Sequence, residues 1–413
     1  MERYQAYRFE LRPTGEQERA MRRFAGSCRF VYNKALALQK ENHAAGNKFI
    51  SYVAMAKYLT AWRNSSETPW LAAAPCSAHQ YALKDLEEAY ANFFAGRAKF
   101  PRFKRKGDRN SFRVAAKGTI RIEQTNSRLR FPKLGWLRYR KSRDIVGEPV
   151  NATISQAAGK WFISIQTRRE VDPVVPIATS AVGIDVGIAR FATLSNGSFI
   201  APLNSFKKHQ QRLARYQRRM GRKVKFSSNW RKAKARVQKI HTRIANARKD
   251  FLHKTTAAIT QNHVLVCIED LQVGKMSRSA KGTVEQPGKR VSQKSGLNRA
   301  ILDQGWGEFR RQLDYKMAWN GGMLLAVPPH HTSQTCPACS HVSKDNRQMQ
   351  AKFLCVECGY KNHADVVGAI NTLERGHRLL ACGETVQSGR SKKQEPTEAL
   401  RKLSRGAVGI SVL

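Results

Sequence analysis

Two sets of side chains in this sequence have the types and spacing to do chemistry. The first is Cys336-Pro-Ala-Cys339, followed after fifteen residues by Cys355-Val-Glu-Cys358. Paired CxxC knuckles with this gap form a four-thiolate zinc-ribbon signature. Four thiolates fill the tetrahedron and leave no open position. Cys336, Cys339, Cys355 and Cys358 are therefore expected to hold one structural Zn²⁺. The second set is three carboxylates. Asp185 sits in Val182-Gly-Ile-Asp-Val-Gly187, Glu269 ends Val264-Leu-Val-Cys-Ile-Glu269, and Asp365 follows the last cysteine by seven residues. Acids on a strand, a strand end and a helix start, in a very basic chain, point to a metal-dependent nuclease.

The pattern around each acid predicts its setting. Val182, Ile184, Val186 and Ile188 alternate with Gly183, Asp185, Gly187 and Ala189. The neighbours of Asp185 on its strand face are thus small, with expected room for a metal ion and a phosphate. Val264–Ile268 is a continuous apolar run, as in a strand buried on both faces. Glu269 lies at its carboxyl end, where open α/β sheets place their sites; Asp270 is the alternative acid. Asn362 is the expected N-cap of the helix carrying Asp365, with Gly368 and Ala369 keeping that face small. A first-turn Asp also suits the helix dipole, so Asp365 gains its meaning as the third member of the set. Carboxylates are the hard ligands that Mg²⁺ prefers, with Mn²⁺ as the substitute. A two-metal site places ions roughly 3.5–4 Å apart, with Asp185 expected to bridge them and Glu269 and Asp365 to close the sides. His330, His331 and His363 are read as hydrogen-bonding or phosphate-contacting groups, not metal ligands.

Composition narrows the partners. Among 413 residues, Lys+Arg number 74 against 30 Asp+Glu, a formal charge of +44. Such self-repulsion calls for a polyanion. No apolar run approaches the ~18 residues of a spanning helix, and the start lacks a signal-peptide core. Nucleic acid is therefore the expected partner, membrane is not, and a cytoplasmic location is expected. The other four cysteines, Cys28, Cys76, Cys267 and Cys382, lack paired spacing. Cys28 and Cys267 lie in apolar patterns and read as small core residues.

The elements that must position these groups fall in sequence. Tyr4–Leu11 alternates like a strand, and Thr14-Gly-Glu-Gln17 reads as a capping box. Met21, Phe24, Cys28, Val31, Ala35 and Leu38 then form one helical seam, with further helix near 52–63 and 79–95. Residues 97–171 carry short strands at 111–114, 119–122, 128–131, 136–139, 152–156 and 160–167, a spacing that suggests a small barrel. Residues 171–176 read as a linker. Residues 181–194 read as a strand pair turned at Ser195-Asn-Gly-Ser198. The stretch 201–250 holds seventeen Lys/Arg and a single acid, Asp250. It still carries an apolar seam through Trp230, Val237, Ile240, Ile244 and Phe251, so it reads as a helical hairpin with a cationic outside. Residues 275–297 read as a mobile loop, 299–319 as one helix, 323–327 as a strand and 364–375 as a final helix. From Gly376 onward the chain reads as polar and mostly disordered.

These motifs together resemble the TnpB (OrfB) proteins of bacterial insertion sequences, which are similar to compact type V CRISPR effectors. The resemblance rests on Gly26-Ser-Cys-Arg-Phe-Val-Tyr-Asn33, Phe100-Pro-Arg-Phe103, Val182–Gly187, Ile268-Glu-Asp-Leu271 and Thr332-Ser-Gln-Thr-Cys-Pro-Ala-Cys339. It continues through Cys355–Gly359, Asn362-His-Ala-Asp365 and Ala369-Ile-Asn371; Ser340 stands where the first knuckle usually has Gly. It implies a multidomain α+β chain. A wedge-like β-barrel (1–12 and 96–171) with an inserted helical recognition bundle (13–95) would precede an RNase H-like (RuvC) α/β nuclease domain (180–327, hairpin 205–254). A zinc ribbon (328–360) would interrupt that domain before its last helix (361–376), with a basic tail at 377–413. The resemblance also implies a guide RNA from the transposon end, a double-stranded DNA target cut beside a short adjacent motif, and a bacterial, nucleoid-associated protein. Two other readings compete: a DNA-strand-transfer transposase with an RNase H-like acidic triad, which would need a helix-turn-helix reader, and a non-cleaving RNA-guided regulator, which should have lost an acid.

Overall fold

A computed structural model describes residues 1–381 apart from Asp108 and Lys117. Cys382 and the tail expected beyond it lie outside the described residues. The chain divides between Asp172 and Pro173 into two compact units.

The first unit opens with β1 (Glu2–Arg12), whose alternation buries Tyr7, Phe9 and Leu11. The capping box forms as expected: Gln17 N–H donates to Thr14 Oγ1 at 3.3 Å, and Thr14 N–H donates to Gln17 Oε1 at 3.1 Å. It starts α1 (Gly15–Ala44), followed by α2 (Tyr52–Asn64) and α3 (Cys76–Phe94). The seam Met21, Phe24, Cys28, Val31 and Ala35 is buried. Six strands follow: β2 (Ser111–Ala115), β3 (Arg121–Glu123), β4 (Arg128–Phe131), β5 (Gly135–Tyr139), β6 (Glu148–Ala157) and β7 (Lys160–Glu170). They join β1 in one antiparallel sheet of order β2-β6-β7-β1-β5-β4-β3. Phe112 of β2 and Phe131 of β4 lie near opposite ends of that order, yet their rings meet edge to face at 5.8 Å. The sheet therefore curls until its two ends share one core, while its outermost strands, β2 and β3, are not hydrogen-bonded to each other.

The second unit is built on a five-stranded sheet. Its strands are β8 (Ala181–Val186), β9 (Ala192–Leu194), β10 (Phe199–Ile200), β11 (Leu265–Glu269) and β12 (Met323–Val327). The order is β10-β9-β8-β11-β12, with β11 parallel to both β8 and β12. The alternation expected to run to Ala189 stops at Val186, and β9 folds back against β8. The Ser195–Ser198 turn joins β9 to β10 instead. Between β10 and β11 stand α4 (Ser205–Gly221) and α5 (Ser228–Asn262), the expected hairpin. Leu213 packs there against Val237, Ile240 and Ile244. Asn204 gives α4 no side-chain cap. Asp303 supplies one from afar, accepting from Phe206 N–H at 2.9 and 3.0 Å and from Arg248 at 2.7 Å.

Three expectations are corrected here. The stretch 275–297 is not wholly loop: α6 (Val273–Met276) enters it, and α7 (Val291–Gln304) begins within it. The helix expected over 299–319 is two, α7 and α8 (Trp306–Trp319). Gly305 separates them at φ +76°, a left-handed turn that glycine tolerates. The cysteine knuckles flank a two-stranded ribbon, β13 (Lys352–Leu354) and β14 (Lys361–His363), and then comes α9 (Ala364–Ala381). That last helix runs past 375, and Gly376 is a buried residue within it rather than the start of a polar tail.

Helix α9 lies directly on β8 and β11. A Cβ on Gly183 would stand 2.0 Å from Ala369 O and 2.7 Å from Leu373 N, both on α9. A Cβ on Gly376 would stand 2.1 Å from Cys267 Sγ. The expectation that Gly183 leaves room for metal and phosphate is therefore wrong: α9 fills that space. Gly183→Ala should cost about 1–3 kcal/mol or more, the scale of overpacking, because the nearest atoms are helix backbone and cannot rotate away. Gly274→Ala, where an added Cβ meets nothing within 4 Å, should stay within about 1 kcal/mol of wild type. Chemical denaturation of the two variants separates these outcomes.

Candidate functional site: three carboxylates beside a four-cysteine cluster

The face of the sheet under α9 places the acids. Ile184 pairs with Ile268 in the parallel register, so Asp185 and Glu269 follow on adjacent strands and share a face. That face is the one whose Gly183 and Cys267 meet α9. Asp185 Oδ2 would lie 3.1 Å from a Cβ on Gly368, so any larger residue there would press on the carboxylate. Asp365 stands in the first turn of α9. The expected cap is corrected: Asn362 belongs to β14, and His363 Nδ1 accepts from Asp365 N–H at 3.2 Å. Accepting at Nδ1 leaves the ring proton on Nε2 if the imidazole is neutral. Of the two acids at the end of β11, Asp270 is paired with Arg310, while the charge of Glu269 acts on Asp185.

The charges of two of these acids act on the third. Burial pushes the Asp185 carboxyl up to about 8, and the charges of Glu269 and then Asp365 push the same way. Arg347 and the Val186 backbone N–H oppose that rise without cancelling it. Burial also raises Glu269, against a hydrogen bond from Thr332 and the charges of Arg375 and Arg347. Thr332 Oγ1 donates to Glu269 Oε1 at 2.6 Å. Arg347 lies 3.6 Å from Asp365.

The thiolates form a tighter set. Among the described residues, Cys336, Cys339, Cys355 and Cys358 are the one group of three or more candidate ligands whose atoms all lie within 4.8 Å of one another. Cys336–Cys358 and Cys339–Cys355 Sγ pairs stand at 3.6 Å. A tetrahedron with ~2.3 Å metal–sulfur bonds has edges of about 3.8 Å, whereas a disulfide needs ~2.05 Å. The donor set therefore fits a metal ion. Ser340 and Gly359, each just after the second cysteine of a knuckle, take φ +62° and +72°. Ser340 thus adopts the left-handed turn that glycine would take at lower cost.

Comparison with known proteins now has a geometry to attach to. A relative from Escherichia coli K12, "Putative RNA-guided DNA endonuclease InsQ", is 56% identical over 97% of this chain and 99% of its own length. The chain belongs to the TnpB/OrfB family. A second member, "Putative RNA-guided DNA endonuclease" from Streptomyces pristinaespiralis, is 34% identical over 97% of this chain and 98% of its own. The family described as "Probable transposase" matches residues 164–280, and a "Cas12f1-like, TNB domain" matches 306–372. A "Helix-turn-helix domain" matches 1–48. That span of this TnpB-family chain holds β1 and the single long helix α1. The solved Cas12f1–sgRNA–target DNA complex has a chain of the same α+β fold, with TM-score 0.57 at 11% identity over 90% of this chain and 98% of that one.

Sequence reasoning missed three side chains of this TnpB-family site: Thr332, Arg347 and Arg375. Thr332 stands in the quoted motif before Cys336 without a role. Arg347 comes from a one-turn helix, Asp345–Arg347, inside the cysteine insertion, and no spacing rule links it to acids on other elements.

The raised Asp185 gives a testable pH dependence. A carboxyl titrating near 3.8 when unfolded and near 8 when folded makes the native state bind more protons between those values. Stability then falls as pH rises through that window. In chelator, Asp185→Asn should raise the melting temperature over wild type at pH 8, with little gain at pH 4. Calorimetry at both values checks the difference. Equal shifts at the two pH values would mean that Asp185 is not desolvated.

Proposed function

We propose that this chain is a transposon-encoded, RNA-guided DNA endonuclease that cuts by metal-assisted phosphodiester hydrolysis. The observation that carries the reading is the convergence of Asp185, Glu269 and Asp365, with Asp185 pushed up to about 8 by burial and by the other two acids. Uncompensated negative charge of this kind is what a divalent cation relieves. The donor set is all carboxylate oxygen, which suits Mg²⁺, with Mn²⁺ as the substitute. Ions bound there would activate water and stabilise the leaving oxygen. Asp185, between the other two, would be the shared ligand; Glu269, oriented by Thr332, and Asp365, near Arg347, would hold opposite sides.

The RNA-guided part rests on the names carried by full-length relatives at 56% and 34% identity. The finer architecture is proposed on the same footing. The curled sheet of 1–12 and 96–171 would be the wedge barrel, and 13–95 the recognition bundle. Residues 180–327 with 361–376 would be the RuvC domain, and the 328–360 insertion a ribbon holding one structural Zn²⁺. The partners would be a guide RNA from the transposon end and double-stranded target DNA, met by the exposed cations of α4 and α5. Basic and aromatic side chains also interleave in the first unit. Lys40 stands 5.2 Å over Phe103 and Lys104 3.8 Å over Tyr32, an arrangement suited to phosphate and base. No helix among the described residues is long and apolar enough to cross a membrane; a cytoplasmic, nucleoid-associated location goes with these partners. Strand transfer is the second reading, favoured by the "Probable transposase" description. It wants a two-helix DNA reader, and residues 1–48 form a strand and one helix.

Two experiments test this. The RNA that copurifies is sequenced, and matching duplex DNA is supplied with Mg²⁺. Asp185→Ala, Glu269→Ala and Asp365→Ala should each cut at below roughly a thousandth of the wild-type rate, since members of one catalytic unit fail alike. RNA and DNA binding should stay near wild type. Wild-type cutting by any of the three removes that residue from the site. For the ribbon, metal analysis should find about one Zn per chain, lost in the Cys336→Ser/Cys355→Ser double variant and kept in Cys28→Ser. Full zinc in the double variant would overturn the ligand set.

A further inference from the structure

Glu269 ends β11 with no neighbour on its own strand to fix its carboxylate. The group that touches it comes from the segment leading into the first cysteine knuckle. Thr332 is 3% exposed. Its hydroxyl has one proton and two acceptors in reach, Glu269 Oε1 at 2.6 Å and Pro329 O at 3.2 Å. The carboxylate is nearer and takes the stronger bond. Thr332 is itself held. Asn371, 2% exposed on α9, donates through Nδ2 to Thr332 O at 2.7 Å and to Thr335 O at 2.8 Å. One side-chain amide thus staples the whole 332–335 turn to the helix that carries Asp365. Cys336 follows directly.

We propose that Thr332 is a positioning residue for Glu269, and that Asn371 locks Thr332 so that the turn entering the cysteine cluster sets the carboxylate's orientation. This rests on reading Asp185, Glu269 and Asp365 as the cation-binding carboxylates. A ligand carboxylate with one oxygen engaged by a fixed donor keeps its other oxygen aimed at the ion; without the donor it swings. Loss of such an outer partner typically weakens metal affinity or activity 10–100-fold. The chain of bonds also gives the cysteine cluster a mechanical link to catalysis, through a turn with Thr332 on Glu269 at one end and Cys336 just beyond the other.

The probe is Mn²⁺ alone, titrated into the full chain freed of RNA by a high-salt wash and followed by the electron-paramagnetic signal of the free ion. Asp185→Ala defines which binding belongs to the carboxylate site. Thr332→Val keeps the shape and removes the donor; Thr332→Ala does so with no risk of a clash; Thr332→Ser keeps the hydroxyl. The valine and alanine variants should weaken the Asp185-dependent Mn²⁺ site roughly 10–100-fold, and serine should stay close to wild type. In cleavage, the Mg²⁺ concentration for half-maximal rate should rise in the same two variants. A lowered melting temperature with unchanged Mn²⁺ binding would make Thr332 merely structural and overturn the proposal. Weakening that serine fails to restore would overturn it too. If wild type has no Asp185-dependent site, the reading of the three acids fails instead.

Discussion

The direct seating of α9 on β8 and β11 is the constraint on which the second unit depends. At Gly183 the strand meets the backbone of α9, at Gly376 the helix meets the Cys267 side chain, and the gap at either would not admit a methyl. A helix held this close brings the residues of its first turn within electrostatic reach of the strand ends. Asp365 thereby reaches Asp185, which the parallel register has already set beside Glu269. Interiors are packed to crystal density and transmit small displacements. Lifting α9 by the width of one methylene would draw Asp365 away from the pair that the sheet holds together.

The cysteine cluster enters through the same helix. Its two-stranded ribbon runs straight into Ala364, whose N–H is held by Ala351 O at 2.9 Å. The cluster therefore fixes where α9 begins, and the glycines fix how deep it lies. Two anchors at different points along one rigid rod determine its placement better than either alone. Phe353 and Ala364, both buried with Cys336 and Cys355, make the cluster a small core in its own right.

The chemistry of this chain was legible from its sequence because chemistry restricts residue type. Four thiolates at knuckle spacing have few other uses, and an acid at the end of an apolar run is costly without one. The hairpin was legible because its seam persists through a cationic stretch. What could not be read was anything that depends on which element covers which. Gly183 looked like room for a ligand, and it is room for Ala369 and Leu373. Gly305 divides what pattern alone joined into one helix, since the apolar spacing continues across it and only the backbone turns. Asp303 caps α4 from nearly a hundred residues away, and Arg347 meets Asp365 from inside an insertion. These are facts of tertiary placement, and a one-dimensional period carries no trace of them.

Magnitude decides which charges matter at the acids. The chain's +44 is large, but at physiological ionic strength the screening length is about 8 Å. Exposed lysines and arginines farther away than this act on an approaching polyanion and hardly at all on Asp185. Local terms are of a different size, because burial around Asp185 lowers the effective dielectric there. That is why Asp185 is pushed up to about 8 within one of the most basic settings a carboxylate could have. Burial and two near acids outweigh the distant cations, and Arg347, which is close, reduces the imbalance without removing it. The basic surface and the acidic centre are therefore nearly independent electrostatic devices. On the proposed function, the first would govern encounter with nucleic acid, and the second would keep its demand for a cation whatever the surface has bound.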